Sequence, residues 1–402
     1  MGSVIDATSG GENESVDHRW CYRGLLLLVL CTLVFVGGLI AIRSVDPQLP
    51  QGVSRPDFEK AAADFKSEFG RSGDRFDILM TLADTAAKKK DSSTAIVCYT
   101  QIPTVHRRYG PSARFEEAQL LARTDRVQRA EDSFRTFLEL QERGIGLPDR
   151  HVELSRRWLS LILGVELRSE ERRFVLHDLM EDHQADIHDV KQYYFASLLI
   201  WQSAYGSGRV RDFLKLDPLN RHLRNANARY LIGEGLLEEA RNQLLQLHRE
   251  EPRDLQTLSF LLECDFEMND WSSFAKDFSD VPPLEEGEPW LLSQLRGEWA
   301  IHQKKWVEAE QLFRHVVRID PPNAAGHMGL AATFAGQGKV VERESILQRS
   351  QLIARLRVGL GAVTNKNAKA AMSVASLARE LGMEDATAIF EFFAAGMSTE
   401  QP

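Results

Sequence analysis

The sequence is short of cysteine, with four in 402 residues, at Cys21, Cys31, Cys98 and Cys264, and none has a CxxC partner. That excludes a disulfide scaffold and removes support for zinc-ribbon or thioredoxin-like chemistry. The 14 prolines and 27 glycines are too few for a collagen-like or low-complexity chain. Positive charge is not concentrated anywhere: the net charge of −9 is spread along the sequence, which argues against a nucleic-acid footprint. Strand-like alternation is scarce, and so are catalytic signatures. Gly336-Gln337-Gly338-Lys339 lacks both the earlier Gly and the following Ser or Thr of a phosphate-binding loop. Ser207 has glycines directly beside it, not the GxSxG spacing of a nucleophile elbow. No enzyme activity and no cofactor are expected.

One long apolar run is present. Gly24–Ile42 reads GLLLLVLCTLVFVGGLIAI, 19 residues without a charge, and about 20 helical residues span a bilayer. Arg19, Arg23 and Arg43 flank it, and Trp20 and Tyr22 sit where interfacial aromatics belong. A cleaved signal peptide is the weaker reading. The leader is 23 residues long and carries Asp6, Glu12, Glu14 and Asp17, and the run exceeds the roughly 7–15 residues of a signal core. Asp6 stands where a myristoylation motif needs Ser or Thr. The expectation is a single-pass protein of the cell membrane. The short N-terminal tail with Arg19 and Arg23 favours the rest of the chain on the extracytoplasmic side, with a cytosol-facing arrangement as the alternative. Gly37 and Ala41 form a small-xxx-small pair of the kind used in helix pairing, so a homo-oligomer stays open.

Beyond the run, residues 43–57 hold three prolines and no helical period, and read as a linker. From Phe58 apolar residues recur at spacings of three and four, as in Leu236-Leu237, Ala240, Leu244 and Leu247. The chain is all-α. It is also self-similar. Counting Arg221 as position 1, Ala228 falls at 8, Leu231 at 11, Gly235 at 15, Ala240 at 20, Leu244 at 24 and Pro252 at 32. Trp290 to Asn323 repeats the frame with Gly297, Trp306, Ala309, Phe313 and Pro321, but puts Lys304 at position 15. Further frames begin at Phe76, Pro111, Leu255 and Ala324, with Phe274 and Arg343 replacing the small residue at 20 in the last two.

This succession resembles the tetratricopeptide repeat (TPR) family, whose period is roughly 34 residues. The resemblance implies a right-handed α-solenoid of TPR-like helix pairs over 58–365, following the tail 1–23, the membrane helix 24–42 and the linker 43–57. Residues 366–402 then supply C-terminal capping helices, since a terminal repeat must turn one face to water. The middle, Ile145 to Asn220, matches poorly and reads as degenerate repeats. In such a stack the first helix of each pair lines a concave groove. Positions 2, 5, 9, 12 and 13 of the family pattern place Asn225, Arg229, Glu263, Glu267, Gln294, Glu298 and His302 there, with Met328, Ala332 and Ala335 as a bare wall. The expected work is that of a membrane-anchored scaffold that binds a protein or peptide through this face, in cell-envelope assembly. The Lys/Asn carboxylate clamp of the family's chaperone-tail binders is not reproduced at those positions.

The rival reading is a metal-dependent enzyme or metal-binding protein built on HDLMEDHQADIHD, His177–Asp189, with three histidines and five acidic residues. Against it, His177 and His183 stand about 240° apart on a helix. Asp178 and Asp182 share a face that reads as solvated, and Asp186 is placed to cap the next helix. No metal site is expected.

Overall fold

Each helix of the chain starts and stops where its local chemistry directs. The computed structural model describes residues 52–199, 204–284 and 288–399, without the side chains of 204–206 and 398–399. The span expected at Gly24–Ile42 lies outside the described residues. No helix among those described is long and apolar enough to cross a membrane. They form 19 helices and no strand, in two compact units that divide between Gln101 and Ile102.

The first unit contains α1 (Arg55–Phe69), α2 (Arg75–Lys88) and α3 (Ser92–Thr100). Ser54 caps α1 by accepting from the Asp57 amide at 3.3 Å. Asp74 and Asp77 cap α2 reciprocally, each carboxylate accepting the other's backbone N–H at 2.8 and 3.0 Å. Phe65, Leu79, Ala83, Ala95 and Tyr99 form its buried core.

The second unit holds α4 (Gly110–Arg123) and α5 (Val127–Glu142), then α6 (Asp149–Val165), α7 (Ser169–Glu181), α8 (Ile187–Leu199) and α9 (Ala204–Leu216). The regular pairs follow: α10 (Arg221–Gly233) with α11 (Leu237–Glu250), α12 (Leu255–Glu267) with α13 (Trp271–Phe278), and α14 (Trp290–His302) with α15 (Trp306–Ile319). The last are α16 (Ala324–Gly336), the long α17 (Val340–Ala362), α18 (Ala368–Glu380) and α19 (Glu384–Thr399). The first helices α10, α12, α14 and α16 pack on one another in succession, and each also packs on its own partner. This is a TPR-like helical-repeat fold.

The turn inside each pair has one solution. Position 15 is left-handed in every frame, at Lys90 (φ 64°), Asp125 (57°), Gly235 (78°), Asn269 (54°), Lys304 (58°) and Gly338 (72°). Lys304 therefore departs from the pattern in residue type but not in backbone, at a conformational cost of about 1–2 kcal/mol that its neighbours must offset. The crossing positions behave as their size requires. Ala118, Ala130, Ala228 and Ala240 are fully buried. At Gly297 an added Cβ would lie 2.7 Å from Cζ of Phe313, and at Gly329 it would overlap the same ring.

The middle helices do not simply continue the stack. All four expected there are present, yet α8, besides packing on its neighbour α7, also packs on the distant α17 and α19. Its Ile187, Val190, Phe195 and Leu198 share a core with Leu356 and Leu360 of α17, Val374 of α18 and Phe390 of α19. The C-terminal helices are thus covered by the chain itself on that side.

Exchanging Gly for Ala inside an open helix gains roughly 0.5–1 kcal/mol. At Gly329 the sign reverses, because the methyl meets Phe313: Gly329→Ala lowers stability in urea denaturation by about 1–3 kcal/mol, and adding Phe313→Leu recovers part of the loss.

Candidate functional site

Three of the groove residues are consumed internally. Asn225 is 1 % exposed, donates to Asp254 Oδ2 at 3.2 Å and accepts from Thr257 Oγ1 at 2.9 Å. Arg229, 4 % exposed, donates to both oxygens of Glu263 at 2.9 and 3.2 Å and lies over the Phe260 ring at 4.8 Å. These bonds tie α10 to α12. They hold the repeats together and offer little to a ligand.

The covering element is the turn between α6 and α7. Leu167 takes a left-handed conformation (φ 57°), and its carbonyl accepts from Gln256 Nε2 of α12 at 3.2 Å. A cavity of about 170 Å³ separates Leu167 and Arg168 from Arg229, Phe260 and Trp290. Farther along, Glu170, Tyr193 and Ala196 share a gap of about 20 Å³ with Trp290 and Asp320. So α7 and α8 lie across the N-terminal ends of the first helices α12 and α14. Arg168 anchors this arrangement: its guanidinium donates to Glu131 and Glu171 at 2.7 Å and to Glu166 at 2.8 Å. Burial pushes the Glu166 carboxyl up to about 7, opposed by its hydrogen bond to Arg168. Sequence reading missed this hub, because its four members come from two helices, α5 and α7, and from the α6–α7 turn. The one local signal is the charge-dense run ELRSEERR, Glu166–Arg173.

What is left open is the C-terminal half of the same face. Glu267 and His302 are exposed and Gln294 and Glu298 half-buried. The His302 ring stacks on Trp271 with centroids 4.0 Å apart and on Trp299 at 5.3 Å. Burial pushes the Glu298 carboxyl up to about 7. Burial raises Glu267 too, helped by the Glu263 charge. Met328 is 54 % exposed, with Ala332 and Ala335 exposed beside it in sequence. The bare wall expected on α16 is there.

The His177–Asp189 cluster is a helix end, a turn and a cap. Asp186 Oδ1 accepts the amides of His188 at 2.8 Å and Asp189 at 3.0 Å, and Asp189 returns the bond to the Asp186 amide at 3.0 Å. His183 occupies the left-handed turn (φ 56°). Asp178 and Asp182 do share a face, but it is not merely solvated: Arg156 from α6 pairs with both. His177, Asp178 and Glu181 bring ligand-type atoms within 4.8 Å of one another, all three exposed. That exposure leaves an ion hydrated, with nothing to fix its geometry.

No family model matches the chain, and no curated protein matches it. Solved structures are similar at long range. A tetratricopeptide repeat protein from Parabacteroides merdae is 14% identical over 64% of this chain and 98% of its own, with a TM-score of 0.31. Yeast Tom70 is 10% identical over 86% of this chain and 94% of its own, at 0.32. The human IFIT1 dimer with PPP-AAAA is 11% identical over 87% and 96%, at 0.34. Likeness at this distance stands as likeness alone. The repeat assignment rests on the helix pairs and their shared turn.

Glu298 gives the site a pH signature. The folded state holds its proton more tightly than the unfolded chain, so stability falls as pH rises from about 4.5 to about 7 and the cost is complete above that. Glu298→Gln therefore raises stability by about 1–3 kcal/mol at pH 8 and leaves it unchanged near pH 4, read from urea denaturation of both proteins.

Proposed function

We propose that the chain is a membrane-anchored scaffold, held by Gly24–Ile42, that binds a protein or peptide partner on the open part of its first-helix face. The observation that carries this reading is the Met328 surface: a flexible apolar side chain, 54 % exposed, beside two exposed alanines and next in the stack to Glu298 and His302. Apolar surface rimmed by polar groups is what a partner covers. The carboxylates of that face and the net charge of −9 set it against a polyphosphate such as the one named with human IFIT1. In this reading the chain is a binder and not an enzyme, the partner brings an apolar side chain to α16, and the solenoid stands on the extracytoplasmic side, in envelope assembly.

The test uses a photo-crosslinking amino acid in the full chain in its own membrane. Placed at Met328 or His302, it captures a discrete protein; placed at Asn225, it captures none. Equal capture from all three, or none from any, refutes the groove reading. Carbonate extraction decides the anchor separately: the full chain stays with the membrane, and a chain lacking residues 1–51 is released.

A further inference from the structure

A further cavity lies away from the first-helix groove. It opens between α13 and α15, with a volume of about 770 Å³, within the range of pockets that bury a ligand. Its origin is in the sequence. The second helix of this repeat, α13, has 8 residues, against 14 in α11 and 14 in α15. Phe274 fills the crossing position and packs in an aromatic cluster with Trp271, Phe278 and Trp299. The chain then leaves the helix and runs through Pro282 and Pro283, which end any helical continuation. The flank of α15 that a full-length helix would cover is left bare.

The floor and the rim differ in character. Phe278, Trp299 and Leu312 line the floor, and Leu284 stands at the edge, 50 % exposed. Around them are Arg296, Lys305, Arg314, His315 and Arg318, with Glu308 as the one carboxylate of the lining among the described residues. Some of this charge is already answered. Arg296 is held by Glu288 at 3.0 Å, and Lys305 reaches Glu308 at 4.0 Å. Glu310 serves two cations, Arg314 at 2.7 Å and Lys339 at 2.9 Å, so positive charge remains in excess. Arg318 Nη2 lies 2.8 Å from His315 Nδ1. A guanidinium can only donate, so Nδ1 accepts and a neutral ring carries its proton on Nε2. That Nε2 is buried and has no acceptor among the described residues. Among the described residues, Arg318 is thus the one cation of the lining with no carboxylate partner, and it stands with an unanswered donor beside an apolar hollow.

We propose that this notch docks an acidic segment of a partner protein, a short stretch in which Asp or Glu residues flank a large apolar side chain. The side chain enters against Trp299 and Leu312, and the carboxylates meet Arg314 and Arg318, where charge-assisted bonds are the strong ones. The notch opens on the second-helix side and shares Trp299, on which His302 stacks, with the groove proposed above. It gives the scaffold a second, oppositely charged contact.

The test is selection of a displayed library of peptides about 12 residues long on the purified full chain. Peptides combining Asp or Glu with Leu, Phe or Trp are expected to be enriched, and synthetic versions to bind with an affinity that falls with salt. Arg314→Glu with Arg318→Glu weakens that binding at least tenfold, and the matching double Lys variant retains most of it. Should the double Glu variant lose its helical circular dichroism, Leu284→Asp, on an exposed loop position, replaces it with the same expectation. No enrichment of acidic peptides, or the same peptides bound equally by wild type and variants, overturns the proposal. Self-association of the wild type that disappears in the variants also overturns it, since the occupant is then a second copy.

Discussion

Phe195 of α8 has no exposed surface and lies 5.7 Å from Phe390 of α19, ring centre to ring centre. Close by, Lys191 Nζ donates to the Val363 carbonyl at 3.2 Å, joining positions 172 residues apart. These contacts decide what the second unit can be. A stack of helix pairs has contacts only between neighbours and is open along its length. Here α8 leaves that order and buries its apolar face on the C-terminal helices, at roughly 1.5–3 kcal/mol for each large side chain removed from water. Phe195 itself departs from helical dihedrals (φ −133°, ψ 28°), so the helix yields locally where the long-range contact is made.

The same return brings α7 across the first-helix face, and the electrostatics follow from it. A guanidinium 9 % exposed, facing three carboxylates of which two are 3 % exposed or less, is held by a hydrogen bond to each of them, with Glu166 Oε1 left without a partner. Breaking a buried pair costs about 3–5 kcal/mol through the charge left behind. Arg168 therefore specifies where the α6–α7 turn sits more than it adds net stability. The face is divided as a result. Its N-terminal half is internal structure, and its C-terminal half, from Glu267 to Met328, keeps the exposure that recognition needs.

The helices were legible because they depend on local pattern. A crossing residue such as Ala228, a left-handed turn at Gly235 and a stop at Pro252 each act within one repeat, and the turn recurs in all six frames while the other two recur in some. Asp186 as a cap was legible for the same reason. The groove was legible only in part. Arg229 and Glu263 occupy positions that face a groove in the family pattern, but their pairing across α10 and α12 is a matter of geometry between repeats. The pairing of Arg156 with Asp178 and Asp182, the Arg168 hub and the α8 return are all contacts between segments whose periodicity carries no record of each other. The notch was hidden differently: Phe274 was visible as a departure, while the basic flank belongs to the next repeat.

The central claim is that α8 and the C-terminal helices form one cooperative body. Amide hydrogen exchange of the full chain, compared with Phe390→Ala, tests it most directly. The account predicts that the substitution lowers protection across Ile187–Leu199 as much as across Ala368–Glu380, and leaves Gly110–Arg123 unchanged. Loss of protection confined to the C-terminal helices, with α8 exchanging as before, would contradict it.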